Sequence, residues 1–195
     1  MKKELAAITK FYNGKTAKRS GVPLINHIHE GIIVLGEIHA WHRAYAGWCL
    51  HPLVQNDEVL LSNMKMLMSL DTSPRNMVLA MEYRAVANAW LSNKVQMFEG
   101  ELIMIDGPRL SPIKCVNDML RADKVQNRKD FEKYHKGTHP RSAELELYFK
   151  KWLDALDVTE EQYQYLCTKI DDMHAKIPVQ PTGPAQKFLP LIFKG

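Results

Sequence analysis

The sequence is short of the features that hold small secreted or zinc-clustered proteins together. It has only three cysteines, Cys49, Cys115 and Cys167, odd in number and far apart. That argues against a disulfide framework or a CxxC zinc site and leaves buried free thiols. No apolar run approaches the roughly 20 residues of a membrane span. The opening MKKELAAITKFYNGK has lysines but no apolar signal core. A cytoplasmic protein with no membrane partner is expected. Strand-like alternation is nearly missing, and only GELIMIDG at 100–107 reads as a short strand or a glycine-bounded loop. No glycine-rich phosphate loop, Gly-x-Ser-x-Gly elbow or Cys/His nucleophile pattern is present, which weakens kinase, esterase and cysteine protease readings. Excess charge is modest as well. A net charge of +4 and a pI near 8.9, with Lys and Arg spread along the chain, fall short of a nucleic-acid stripe. They remain compatible with a phosphate-rich ligand.

Helical periodicity is what the chain does have. Its 195 residues suit one domain with a single core. Eight helices are predicted, at 2–12, 25–38, 40–51, 56–69, 74–97, 112–135, 141–156 and 159–175, so the fold class is all-α. Ser73-Pro74 and Ser111-Pro112 each set a capping hydroxyl before a proline at the first helical position. Thr159-Glu160-Glu161-Gln162 is a capping box. Beyond residue 176 the chain changes. Prolines forbid a regular helix there, yet Phe188, Leu189, Leu191, Ile192 and Phe193 are too apolar for a solvated tail. Residues 177–195 are expected to pack as an extended tail on the domain or on a neighbour in a homo-oligomer.

Three predicted helices carry polar residues where apolar ones belong. In 112–135 the stripe of Val116, Leu120, Phe131 and Tyr134 is interrupted by Asp123 and Asn127, one turn apart. A buried carboxylate needs a cation, a metal or several donors. In 25–38, His27 shares a face with Val34, Leu35 and Ile38, and Gly31 leaves room beside it. In 40–51, His51 extends the stripe of Trp41, Ala44, Tyr45 and Trp48. One inward histidine is ordinarily a hydrogen-bonded core residue. Two histidines and a carboxylate from three helices form a chemically sensible metal set with open positions.

The blocks around these residues resemble the HD superfamily of metal-dependent phosphohydrolases, and most of all the hydrolase domain of RelA/SpoT-type alarmone enzymes. AKRSGVPLINHI (17–28) looks like the family's basic pair, turn and first metal histidine, matching Lys18, Arg19 and His27. AGWCLHPLVQND (46–57) looks like its His-Asp doublet followed by a Glu-Asp pair. LRADKVQNRKDF (120–131) looks like its Ala-Asp-(Arg/Lys)-x-x-Asn-x-Arg block, matching Asp123 to a metal ligand and Asn127 to a nucleotide contact. The likeness covers roughly residues 1–135 and implies an HD-like helical domain over 1–176.

The departures fall in one block. The doublet's Asp is Pro52, and the acidic pair is Gln55 and Asn56. Amides keep shape and hydrogen bonding but cannot act as bases at neutral pH. Pro52 cannot ligate, and it is expected to end the helix at His51. Two functions follow. In the first, His27, His51 and Asp123 hold a divalent ion (Mn, Fe, Co or Zn). Gln55, Asn56 and Asp57 then stand at the catalytic positions, and Lys18, Arg19, Lys124, Asn127 and Arg128 hold the phosphates of a nucleotide. In the second, the chain is a degenerate HD-fold protein that binds a nucleotide or a protein partner without hydrolysis. No organic cofactor is expected in either.

Three further stretches bear on function. EKYHKGTHPRSAE (132–144) gathers Lys133, His135, Lys136, His139 and Arg141 at a Gly turn, as a phosphate-contacting loop or a solvated basic helix end. His39 and His42 suit surface or supporting roles. Arg84, beside the small residues Ala85, Ala87 and Ala89, is expected to reach a carboxylate or to line a pocket.

Overall fold

A computed structural model describes residues 1–18, 20–90, 95–98, 101–104 and 107–176. Eight α-helices carry the described fold: α1 (Lys2–Tyr12), α2 (Ile25–Glu37), α3 (His42–Leu50), α4 (Asp57–Ser69), α5 (Pro74–Ala87), α6 (Lys114–Tyr134), α7 (Ser142–Ala155) and α8 (Glu160–Lys176). A buried 3-10 turn, His51–Val54, continues α3, and a small antiparallel hairpin joins β1 (Val95–Phe98) to β2 (Glu101–Met104). Among the described residues the fold is all-α apart from that hairpin. No helix among the described residues is long and apolar enough to cross a membrane.

α6 is the axis of the fold. It packs against α2, α3, α5, α7 and α8. Its buried Val116, Met119, Leu120 and Val125 meet a core that includes Ile28, Leu35, Trp48, Leu50 and Leu53. Trp48 is fully buried and donates its indole N–H to the Ile28 carbonyl at 3.0 Å, tying α3 to α2. The three cysteines are free thiols; Cys49 is buried, and Cys115 and Cys167 are partly so.

Local signals set some helix ends and not others. Thr159 and Gln162 form the expected reciprocal cap, the Gln162 N–H donating to Thr159 Oγ1 at 3.2 Å and the Thr159 N–H to Gln162 Oε1 at 3.0 Å. Ser73 stands at the N-cap of α5 and Pro74 opens the helix, but its hydroxyl makes no capping bond. Ser111 is not a cap at all. α6 begins three residues later, and the Ser111 hydroxyl accepts from the Ile113 N–H at 3.1 Å. The predicted helix 74–97 is too long, since α5 stops at Ala87 and Val95–Phe98 pairs instead with Glu101–Met104. Helical periodicity there loses to ladder bonding between two short β-prone segments. Only β2 lies within 100–107, the stretch expected as a short strand or a loop; β1 overlaps the end of the predicted helix. The predicted tail, 177–195, and Arg19 lie outside the described residues.

Candidate metal centre

Three of the singled-out residues meet. His27 comes from the first turn of α2, His51 from the start of the 3-10 turn, and Asp123 from the middle of α6. One donor atom from each lies within 4.8 Å of the others. The two imidazole Nε2 atoms are 3.3 Å apart, and Asp123 Oδ1 is 3.8 Å from His27 Nε2. Donors bound to one ion at about 2.1 Å stand about 3.0–3.4 Å apart. The spacing therefore suits a common cation after small adjustments.

The supporting contacts point both imidazoles the same way. His51 Nδ1 lies 2.6 Å from the Trp48 carbonyl oxygen, and His27 Nδ1 lies 2.7 Å from Gln126 Oε1. Both partners only accept, so each Nδ1 carries a proton and each Nε2 turns a lone pair inward. Two lone pairs facing at 3.3 Å need a proton or a cation between them. A proton satisfies only the two nitrogens. A divalent ion also satisfies Asp123 Oδ1. Histidine ligands are commonly oriented in this manner, through the ring nitrogen that does not bind. Burial, followed by the neighbouring His27, pushes the His51 pKa down to about 3, which keeps its ring neutral.

Pro52 shapes this arrangement. In a continuing α-helix the residue 52 N–H would bond the Trp48 carbonyl, and proline has no such donor. That carbonyl is thereby available to the His51 ring. As expected, the α-helix stops before Pro52, α3 ending at Leu50 with His51 as its C-cap; His51 keeps helical dihedrals (φ −56, ψ −37), and the chain tightens directly into the 3-10 turn.

Asp123 is 5% exposed. Its Oδ1 accepts from Asn127 Nδ2 at 2.8 Å, and its Oδ2 pairs with Lys124 Nζ at 2.7 Å. Burial opposes ionisation of Asp123, but the Lys124 ammonium and the two histidines hold its pKa below the ordinary carboxylate value. Lys124 is itself 3% exposed. It donates to the Tyr148 hydroxyl at 3.0 Å and lies 4.8 Å from the centre of the Trp152 ring. Burial and the Asp123 carboxylate keep the nearby Tyr83 phenol protonated.

The centre opens into a cavity of about 690 Å³. Lys15, Gln55, Lys124, Asn127, His135 and His139 line it alongside aromatic walls that include Phe11, Tyr12 and Phe149. The other singled-out residues stand elsewhere. Lys18 is exposed and off the cavity wall. Arg128 pairs with Glu132 at 2.8 Å and with both oxygens of Glu160 at 2.7 and 2.9 Å, over the Tyr163 ring. Arg84 reaches a carboxylate as expected, and that carboxylate is Asp57, an exposed residue outside the cavity lining. In the basic loop, Lys136 pairs with Glu146 and Arg141 with Glu144, so only the loop's two histidines reach the cavity.

Asn56, expected at a catalytic position, is exposed and outside the cavity lining. It caps α4, its Oδ1 accepting from the Val59 N–H at 2.8 Å. Asn56→Ala is expected to lower unfolding free energy in urea by about 1 kcal/mol without changing metal content. A loss of bound metal at unchanged stability would show that the residue serves the centre instead. Sequence reasoning missed Gln126, Tyr83 and Tyr148, because nothing in their spacing separates them from ordinary helix residues, and Lys15, which stands in the loop after α1 with no motif around it. No protein-family model, curated protein or solved structure matches the chain.

Proposed function

We propose that the protein is a metal-dependent phosphohydrolase of the HD type, acting on a nucleoside polyphosphate through a reduced His/His/Asp centre. The observation that carries this reading is the convergence of His27 Nε2, His51 Nε2 and Asp123 Oδ1 within 4.8 Å, both imidazoles oriented through Nδ1. The donor set fits Mn, Fe, Co or Zn. When bound, the ion supplies Lewis-acid polarisation of a phosphoryl oxygen and acidifies coordinated water. The chain's own groups bind and orient. A cavity of about 690 Å³ is of nucleotide size. Lys15 and the His135 and His139 rings offer donors to phosphates, and the aromatic walls offer stacking surface to a base. Gln55 lines the cavity and can orient a water or a phosphate oxygen, but it cannot take a proton.

A second reading, nucleotide binding without hydrolysis, is favoured by the Asp123–Lys124 pair, which balances the carboxylate without a metal. Pro52, Gln55 and Asn56 at the resemblance's acidic positions favour it too. The deciding experiment supplies purified protein with manganese, iron, cobalt or zinc. It then measures phosphate and pyrophosphate release from nucleoside di-, tri- and tetraphosphates, alarmones included. Turnover that requires metal and vanishes in Asp123→Ala is expected. Nucleotide binding that survives EDTA, with no turnover under any metal, replaces hydrolysis by the second reading.

A further inference from the structure

His27 is held in one tautomer by a side chain that no motif marks. Gln126 lies on α6 and is 2% exposed. Its amide nitrogen donates to Asp130 Oδ2 at 2.7 Å and to Glu30 Oε2 at 3.2 Å. Turned over, the amide would set its oxygen against both carboxylates, so its orientation is decided by its neighbours. The oxygen is left facing His27 Nδ1 at 2.7 Å. The two carboxylates are fixed in turn. Lys129 Nζ bridges Glu30 Oε2 at 2.9 Å and Asp130 Oδ1 at 3.0 Å, and His174 Nε2 lies 2.6 Å from Glu30 Oε1. A polar chain therefore runs from the last turns of α8 through Glu30 and Gln126 to His27, and Glu30, Gln126 and His174 stand at none of the family-like motif positions.

We propose that Gln126 is a positioning residue which, oriented by Glu30 and Asp130, keeps the His27 proton on Nδ1 and aims the Nε2 lone pair at His51 and Asp123. An imidazole without such a partner exchanges between both tautomers, and the Nε2–H form presents a hydrogen where a ligand atom is needed. The step from tautomer to metal affinity rests on the metal-centre reading above; the tautomer itself does not.

The test uses the full chain, 15N-labelled and metal-free, above the pH range in which an ordinary imidazole titrates. Long-range 1H–15N correlation spectra report which ring nitrogen of each histidine carries the proton, and His27→Gln assigns the His27 signals by their loss. The native protein is expected to show a protonated Nδ1 at His27. Gln126→Met, which keeps side-chain length without an acceptor, is expected to shift that proton to Nε2. It is also expected to weaken zinc binding, measured by competition with a chromophoric chelator, by roughly 10- to 100-fold. Gln126→Glu still offers an accepting oxygen to Nδ1, and its second oxygen, set between Glu30 and Asp130, must carry a proton there; the variant is expected to keep Nδ1–H and to bind zinc more tightly than Gln126→Met. A bare Nδ1 in the native protein, or an unmoved proton in folded Gln126→Met, overturns the proposal. Should Gln126→Met not fold, the native protein and Gln126→Glu decide it, a bare Nδ1 in either counting against it. Native protein that takes up no zinc overturns the metal-centre reading instead, while the tautomer still answers for Gln126.

Discussion

Asp123→Ala is expected to abolish stoichiometric metal binding and to cost about 3–5 kcal/mol of folding stability, and the two losses are separable. The stability loss comes from Lys124. Its ammonium is 3% exposed and 2.7 Å from Asp123 Oδ2, and the Tyr148 hydroxyl at 3.0 Å cannot replace that charge. Truncating Asp123 leaves a buried cation without a counter-ion. Adding Lys124→Met removes the cation, so the double variant is expected to recover most of the stability in urea titrations. It is not expected to recover the metal, measured by elemental analysis after loading. A single variant that loses less than about 1 kcal/mol would mean the pair is not what holds Lys124 inside. A double variant that binds metal stoichiometrically would remove Asp123 from the ligand set.

Gly31→Ala is expected to destabilise the protein although alanine is the better helix former by about 1 kcal/mol. A Cβ at Gly31 would fall 2.1, 2.3 and 2.6 Å from Cζ2, Cε2 and Nε1 of Trp48. These are ring atoms of a fully buried indole, not the free end of a flexible chain. The ring must move, and overpacking of this kind costs about 1–3 kcal/mol or more. For a chain of this size a net loss of about 2 kcal/mol lowers Tm by roughly 4–8 °C. The damage reaches the centre as well, since the Trp48 ring lies 4.8 Å from His27 and 4.4 Å from His51, centre to centre. Metal affinity is expected to fall with Tm. A variant melting at or above the native temperature would show that the ring has room to give.

The three donors were legible because each stands at an apolar position of its helix, where a polar side chain must be explained. The room beside Gly31 was legible for the same reason, though not that an indole fills it. The partners were not legible. Trp48's role at His51 is played by its carbonyl, which has no sequence identity. Gln126 reads as one more polar residue on a helix until Glu30 and Asp130 are seen on either side of its amide. Charge was visible and its destination was not. Arg128 looked available to a phosphate, yet two carboxylates from α6 and α8 already hold it. Asn56 illustrates the same limit at short range, where an amide in a family-like position turns out to start a helix.

The Asp123–Lys124 pair makes the centre electroneutral whenever both imidazoles are neutral. A dication seated there keeps its double charge almost unshielded by its own ligands, within the same cavity that would hold a polyanion. Such an ion and such an anion must raise each other's affinity by the same factor, because the coupling between two sites is reciprocal. A carboxylate in place of Pro52 would cancel part of that charge and loosen the coupling. With proline there, metal and phosphate are expected to depend on one another.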